Sequence, residues 1–264
     1  MPHFGMPTLI ETNSIDECVS LAKELKLDFI EINMNMPEYQ LDMIDIEHFK
    51  NLSKQFSIYY TIHLDENLNF CDFNPYVANA YLKTVADTIK LAKQLDVPVL
   101  NMHLSDGVYF TLPDKRVFLF EQYCEHYLKA VDKFIRMCET EIGESDIRIC
   151  IENSNGFKNF HRKALEIMLK SPVFALTYDV GHDHGLGGSD GEFVFENTDK
   201  LQHIHLHDAV GKNHHLALGS GEIDIHRYLD IAKQNNCRIV IETKTFNSLK
   251  QSVEWLKDKK YYEC

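Results

Sequence analysis

The sequence predicts an α/β fold, a single (β/α)₈ barrel, and three observations support that prediction. Short apolar runs rich in β-forming residues alternate with longer segments of helical periodicity, and eight such pairs can be counted. The length of 264 residues is typical of one α/β barrel. No linker or shift in composition divides the chain. We therefore expect one domain over residues 1–264.

Local signals place the ends of these elements. Asn13 or Ser14 can cap the first helix, and Glu17 completes a capping-box pattern after Ser14. Pro75 suits the first turn of the third helix, and Pro98 stands just before a strand, where a helix must already have ended. The predicted strands are Thr8–Glu11, Phe29–Asn33, Ile58–His63, Val99–His103, Ile147–Glu152, Phe174–Asp179, His203–His207 and Ile239–Glu242. The predicted helices span residues 14–26, 44–55, 75–95, 114–140, 161–170, 190–200, 224–235 and 247–258.

Charge and hydropathy argue against two classes of partner. With 27 basic against 40 acidic residues the net charge is −13, which disfavours attraction to nucleic acid or to anionic membranes. The segment Met1–Pro7 lacks a basic stretch followed by an apolar one, and no run approaches the roughly 18 apolar residues that cross a bilayer. We therefore expect a cytoplasmic protein without a membrane partner.

The cysteines predict neither disulfides nor a thiolate metal site. They are odd in number, scattered, and never spaced as C-x-x-C. The seven are Cys18, Cys71, Cys124, Cys138, Cys150, Cys237 and Cys264. We expect reduced thiols, most of them buried.

Residue types that bind metals recur at the carboxyl ends of the predicted strands, which meet at one mouth of a barrel, where active sites form. Six of the eight strands carry such a residue there, each after an apolar run: His63, His103, Glu152, Asp179, His205 and Glu242. One histidine or glutamate alone would indicate packing or a solvated charge. Several crowded carboxylates raise one another's pKa, whereas a divalent cation neutralises them and keeps them ionised. The set therefore predicts a divalent metal site.

Two further histidines extend the predicted set. The spacing Asp179-x-x-His182 places an imidazole on the turn beyond the sixth strand, and His215 lies on the loop after the seventh. We expect both to face the mouth. Five other histidines fall on the terminus or on predicted helices and indicate surface or packing positions: His3, His48, His126, His161 and His226. Four are compatible either with a place in the site or with a surface or packing position: His184, His203, His207 and His214.

The ligand types restrict the metal. Mixed imidazole and carboxylate ligands suit Zn²⁺, Mn²⁺ or Fe²⁺, because soft thiolates are missing from the set and Mg²⁺ prefers oxygen ligands alone. One ion needs about four protein ligands, whereas two ions roughly 3.5–4 Å apart use all eight. We expect one to three divalent ions, with Zn²⁺ or Mn²⁺ favoured.

Taken in order, these segments resemble the xylose isomerase-like superfamily of TIM barrels, which includes sugar isomerases and epimerases as well as endonuclease IV. The resemblance runs over nearly the whole chain, on TIHL, VLNMHLSDG, ICIENSNG, YDVGHDHG, HIHLHDAVGKNHHLALGSGEID and IVIETK. It implies a shared metal set of Glu152, Asp179, His205 and Glu242. It also implies that Glu152 and Glu242 act as acid and base in the epimerases and that His182 contacts substrate there.

The endonuclease IV-like members of the superfamily imply a larger ligand set. The resemblance to them adds His63, His103, His182 and His215 as ligands of a multinuclear zinc site. One departure is Asn213, which stands two residues before His215 where the endonuclease pattern has an aspartate. The segments NMNMPEYQ and DENLNFCDF also lack the arginine and the aromatic that the nuclease inserts into DNA, and they carry acidic residues instead.

The leading hypothesis is a divalent-metal-dependent isomerase or epimerase of a small sugar, sugar phosphate or polyol derivative. Metal would hold vicinal substrate oxygens and stabilise an enediolate, while Glu152 and Glu242 move a proton on opposite faces. The expected partner is a small carbohydrate. The oligomeric state stays open.

Two alternatives remain. An endonuclease IV-like zinc phosphodiesterase acting on abasic DNA would use clustered ions to supply a hydroxide and to hold the leaving oxygen. A barrel that binds metal or metabolite without turnover is the other. The complete carboxylate pair argues against that last interpretation.

Overall fold

Eight parallel strands close into a barrel in the computed structural model, which describes residues 2–261. With strands numbered in chain order, those of the barrel are β1 (His3–Pro7), β2 (Phe29–Asn33), β3 (Tyr59–His63), β4 (Val99–His103), β7 (Arg148–Glu152), β8 (Phe174–Asp179), β9 (Leu201–Leu206) and β12 (Arg238–Ile241). Strand β1 pairs with β2 on one side and with β12 on the other, which closes the ring. The predicted (β/α)₈ barrel is therefore confirmed.

Helices surround the ring, and two hairpins lie outside it. Among residues 2–261 the α-helices are α1 (Ile15–Leu25), α2 (Ile46–Phe56), α3 (Pro75–Gln94), α4 (Leu119–Gln122), α5 (Cys124–Ile142), α6 (Asn159–Met168), α7 (Val180–Gly185), α8 (Gly191–Glu196), α9 (Ile225–Gln234) and α10 (Phe246–Asp258). One hairpin pairs β5 (Tyr109–Thr111) with β6 (Arg116–Phe118), and the other pairs β10 (Asp208–Val210) with β11 (Asn213–Leu216). Single 3₁₀ turns occur at Pro37–Tyr39 and Thr198–Lys200.

Capping side chains fix where the helices begin. The Ser14 hydroxyl accepts the backbone N–H of Glu17, and the Glu17 carboxylate accepts the backbone N–H of Asn13. Asp45 and Asp224 cap α2 and α9 in the same way. Each cap satisfies a backbone donor that has no partner inside the helix. The predicted capping box is thus formed.

Alternate strand residues face either the helices or the barrel axis, because successive side chains of a strand point to opposite sides. Ile30, Ile32 and Ile62 face outward and belong to the main hydrophobic core between strands and helices. The inward residues toward the carboxyl ends are polar, and each is at most 3% exposed: Glu31, Thr61, Asn101, Glu152, Thr177, Asp179, His203 and His205. Buried polar groups are costly unless they are paired. The axis must therefore hold a connected polar network or an ion.

The first strand was predicted wrongly. It runs from His3 to Pro7, not over Thr8–Glu11. The backbone hydrogen bonds between β1 and β2 end with the one that the Thr8 N–H donates to the Glu31 carbonyl. The chain then turns, and the Thr12 N–H donates to the Leu9 carbonyl. The apolar pattern of the predicted strand is misleading because Ile10, which looked like a strand residue, is 86% exposed.

The start of the predicted helix 114–140 was also wrong. Residues 116–118 form β6, and the helical segment begins only at Leu119, with α5 ending at Ile142. The turn between β5 and β6 is closed by the Leu112 N–H, which donates to the Lys115 carbonyl. The dipeptide Pro113-Asp114 lies inside this turn, as its composition favours.

The cysteines behave as predicted within the described residues. Six are free thiols, and only Cys124 among them is more than slightly exposed. Cys264 lies outside the described residues. In the same part of the chain, none of the helices has the length and apolar character needed to cross a bilayer.

Candidate metal and active site

Four predicted ligands meet at the carboxyl mouth of the barrel: Glu152, Asp179, His205 and Glu242. One donor atom from each lies within 4.8 Å of those of the others. His205 is central, since its Nδ1 lies 3.3 Å from Glu152 Oε1, 3.4 Å from Glu242 Oε2 and 4.0 Å from Asp179 Oδ2. We call these four residues the central group. Three carboxylates around one imidazole leave an excess of negative charge at a buried point.

The central group has polar atoms that the rest of the described chain does not satisfy. His205 Nδ1 and Glu242 Oε2 are buried and make no hydrogen bond to residues 2–261, and the same holds for His103 Nε2 and His182 Nδ1 beside them. Such orphaned atoms are rare in folded proteins and call for an ion or water. Imidazole nitrogens and carboxylate oxygens converging on one point are the donors that Zn²⁺ and Mn²⁺ take. The residues therefore fit a divalent cation.

Two of the histidines around the mouth turn their Nε2 toward it. His63 Nδ1 lies 2.8 Å from the Leu64 carbonyl, and His215 Nδ1 lies 3.0 Å from the Glu242 carbonyl. A carbonyl only accepts, so each Nδ1 carries the hydrogen and each Nε2 is the atom available for an ion. Metal-binding histidines are commonly held through their second nitrogen in this way.

Two further groups adjoin the central one, and together they include all eight predicted ligands. His63 and His103 lie 3.4 and 3.2 Å from Glu152 Oε2 through their Nε2 atoms. His182 and His215 lie in the second group, which has four imidazoles within reach of one ion: His182, His207, His214 and His215. Of the histidines that fitted either role, His214 therefore borders the mouth, and His207 lies buried beneath it. His184 instead contacts Glu222 on the surface.

The crowding of carboxylates and imidazoles at the mouth shifts their pKa values. Burial alone would raise the pKa of Glu152, but the neighbouring His205 and His103 lower it well below its ordinary range. Burial alone would lower the pKa of His63, yet its hydrogen bond with Glu152 and the charge of that carboxylate raise it to about 9. Burial lowers the pKa of His215 to about 3. Without a cation, protons on His63 and His205 partly neutralise the carboxylates.

Buried residues that the sequence interpretation missed hold the ligands in place. Asn101 donates its side-chain N–H to Glu152 Oε2, and its carbonyl oxygen accepts the Thr177 hydroxyl at 2.6 Å. Asn153 accepts the Asp179 N–H at 2.8 Å. The signal was available, because an asparagine at an inward position of a buried strand needs a polar partner.

His207 supports Asp179 rather than facing the mouth with a free nitrogen. The backbone N–H of His215 donates to His207 Nδ1 at 2.8 Å, so the ring hydrogen lies on Nε2. That Nε2 lies 3.1 Å from Asp179 Oδ1. His207 therefore orients a member of the central group.

Gly181 in α7 leaves room for the His207 ring. A Cβ at this position would overlap the fully buried imidazole, so Gly181→Ala is expected to lower the free energy of unfolding by about 1–3 kcal/mol. Chemical denaturation measures the change. Gly185→Ala in the same helix is the control, because its Cβ would meet backbone atoms only at 3.7 Å. Equal stability of the two variants would contradict this packing.

A cavity of about 510 Å³ opens over the central group. Its volume is in the range of sites that bind small molecules. Lys244 Nζ lies 2.7 Å from Glu242 Oε1 at its edge. The lining residues are His63, Glu66, His103, Glu152, Ser154, Asn155, His182, Gly185, Leu186, Lys212, His214, His215, Glu242 and Lys244. Both Glu152 and Glu242 thus border a space that a small polar ligand can enter.

Sequence comparison connects the chain to one family of barrels. A family model described as xylose isomerase-like TIM barrel matches residues 19–259. An uncharacterized protein of Methanocaldococcus jannaschii is 24% identical over 213 residues, which cover 78% of this chain and 80% of that protein. A second uncharacterized protein of the same organism is 25% identical over 222 residues, covering 81% and 77%.

Solved structures share the fold over almost the entire chain. A D-tagatose 3-epimerase-like protein superposes with a TM-score of 0.77 at 24% identity, covering 98% of this chain and 97% of that one. The apo form of 3-keto-D-glucoside 4-epimerase from E. coli gives a TM-score of 0.78 at 17% identity, covering 99% and 100%. The IOLI protein with a bound zinc atom gives 0.74 at 15% identity, covering 99% and 100%.

Proposed function

Because this chain belongs to the xylose isomerase-like TIM barrel family, we propose that it is a divalent-metal-dependent isomerase or epimerase of a small sugar, sugar phosphate or polyol derivative. The observation that carries the proposal is the pair Glu152 and Glu242, whose carboxylates flank His205 and border one cavity. Similar structures bear the names of sugar epimerases. That naming supports the reaction class.

The central group would hold the ion, with Zn²⁺ or Mn²⁺ suited to its donors. When bound, the cation supplies positive charge that orients neighbouring substrate oxygens and stabilises negative charge developing on them. A zinc atom is bound in one similar structure. His63, His103, His182 and His215 are the residues that would serve additional ions.

The two glutamates would transfer the proton. One carboxylate removes the proton from the carbon next to the substrate carbonyl, which leaves an enediolate. The other, once it has taken up a proton from solvent through the open cavity, delivers that proton on the opposite face. Burial alone would raise the pKa of Glu242, but the charges of His205 and then of Lys244 hold it well below its ordinary range, so this residue starts as a base. His182 borders the cavity and would donate a hydrogen bond to a substrate hydroxyl.

Deuterium exchange tests the reaction directly. Metal-replete protein is incubated in D₂O with a panel of ketoses, ketose phosphates and keto-polyols, and NMR follows both deuterium entry beside the carbonyl and the appearance of an epimer or aldose. We expect at least one member to exchange and convert. A protein shown to contain its metal that leaves the entire panel unchanged would contradict the proposal.

One observation favours a second candidate, a zinc phosphodiesterase acting on abasic DNA. His63 and His103 form a further ligand group that shares Glu152 with the central one, and clustered ions assist phosphodiester cleavage. Glu66 at the rim of the cavity would repel phosphates. Incubating an abasic duplex with the zinc-loaded protein decides between the two, since a specific nick favours the nuclease and an intact strand favours the sugar enzyme.

Metal affinity is expected to rise with pH. Burial alone would lower the pKa of His63, but Glu152 raises it to about 9, and the carboxylates raise that of His205 well above its ordinary value. An incoming ion must displace these protons, so the apparent affinity increases with pH at least up to the His63 pKa of about 9. Competition calorimetry with a chelator, run in buffers of different ionisation enthalpy, counts the protons released. An affinity independent of pH would contradict this assignment.

A further inference from the structure

A fourth carboxylate on the barrel axis lies one layer deeper than the three of the central group. Glu31 on β2 is 2% exposed, and His203 and Thr61, which lie beside it, are fully buried. His203 precedes His205 by two residues on β9, so both rings point toward the axis. A carboxylate buried in this way requires hydrogen-bonding or charged partners.

Glu31 contacts three donors. Its Oε2 accepts the Thr61 hydroxyl at 3.0 Å and lies 2.9 Å from His203 Nε2. Its Oε1 lies 2.7 Å from His205 Nε2. The ring is not aligned for a regular hydrogen bond, and His205 Nε2 has no other partner among residues 2–261. At this separation the ionised carboxylate attracts a hydrogen on Nε2 and has none of its own to give. The hydrogen therefore belongs to His205 Nε2.

The other nitrogen of His205 faces the opposite way. Its Nδ1 points at the three carboxylates of the central group, at distances of 3.3 to 4.0 Å. Once a cation has displaced the hydrogen on Nδ1, His205 is a neutral imidazole whose single hydrogen lies on Nε2. Glu31 stabilises that form from the other side of the ring, because its carboxylate attracts the Nε2 hydrogen. Nδ1 then keeps the lone pair that the cation needs.

We infer that Glu31, held by Thr61 and His203, is a positioning residue that secures the Nε2 hydrogen of His205 and so presents Nδ1 to the metal. The inference rests on the metal site of the proposed function but not on its reaction. Outer partners of metal-bound histidines act in this way in general, and replacing them typically weakens binding about 10- to 100-fold. Thr61 and His203 orient the carboxylate and do not touch the ion.

The variant Glu31→Gln tests the inference. Its amide replaces one acceptor oxygen with a donor, so it cannot accept from all three neighbours. We expect the dissociation constant for Zn²⁺, measured by competition calorimetry on chelator-treated protein, to rise about 10- to 100-fold. Asp190→Asn is the matched control, because Asp190 is an equally buried carboxylate that accepts the Phe157 N–H outside the site. Its zinc affinity is expected to stay within twofold of the wild type.

A spectroscopic readout separates positioning from general loss of structure. In the zinc-bound protein the His205 Nε2 hydrogen, shared with Glu31, is expected as a downfield ¹H–¹⁵N signal protected from exchange. His205→Gln assigns that signal by removing it. In Glu31→Gln the signal is expected to move upfield or to vanish, while thermal unfolding shows that the protein is folded.

The outcomes are distinct. If Glu31→Gln does not fold, Glu31→Asp serves instead, since it keeps the charge but withdraws the carboxylate from His205, and its zinc affinity is expected to fall as well. A folded variant that binds zinc as tightly as the wild type, with the Nε2–H signal unmoved, overturns the inference. A wild-type protein that binds zinc tightly but leaves every sugar unchanged removes the proposed function and leaves this inference standing.

Discussion

Replacing Glu152 with glutamine is expected to lower kcat for the sugar conversion by about 10³-fold or more, because an amide neither takes up nor delivers a proton. Glutamine has the same shape, so the hydrogen bond with Asn101 can re-form and the barrel should stay folded. Turnover by the metal-loaded variant and its circular dichroism spectrum measure the two effects. A protein that binds a sugar without converting it would show only a changed affinity.

The control for this experiment is Glu66→Gln. Glu66 borders the same cavity but is exposed and accepts a hydrogen bond from Asn35. We expect its kcat to remain within a few-fold of the wild type. If Glu152→Gln retained comparable activity, the assignment of the proton transfer to this residue would fail.

Removing the divalent ion is expected to abolish activity and to destabilise the fold. Three carboxylates of the central group converge on His205, and an ion that binds them only in the folded state adds stability. At a free ion concentration 100 times the dissociation constant the gain is about 2.7 kcal/mol. Thermal unfolding with and without a chelator, followed by addition of Zn²⁺ or Mn²⁺, measures both the loss and its reversal.

His205→Gln provides the comparison for the chelation experiment. This variant lacks the central imidazole of the group, so chelation should shift its unfolding temperature far less than that of the wild type. Identical unfolding curves for the wild type with and without chelator, together with undiminished turnover, would show that the central group does not bind a functional ion.

The sequence predicted the barrel well because its strands carry a strong pattern. Strands β2, β4 and β8 have the predicted bounds at both ends. The first strand was misplaced because HFGMP has two small or cyclic residues and little apolar alternation, and its position is set by pairing with Phe29–Glu31 on β2. Tertiary pairing of this kind leaves no local signal.

The sequence predicts the metal ligands that stand at the carboxyl ends of strands. It does not predict the partners that lie deeper in the barrel. Asp179 and Glu242 stand at strand ends, where chemistry is expected in a barrel. Glu31 stands inside the strand FIEIN, and its partner His203 lies 172 residues away. Only the closed ring brings the two together, so sequence spacing alone could not connect them.

The position of β12 between β1 and β9 also determines when the ligand set can assemble during translation. The earliest strand to leave the ribosome is neighbour to the latest, and Glu242 emerges 90 residues after Glu152. Pairings between such distant segments form slowly, after much of the chain is available. A nascent chain therefore lacks the complete ligand set until Glu242 has left the ribosome, and metal loading follows the pairing of these strands instead of guiding its first steps.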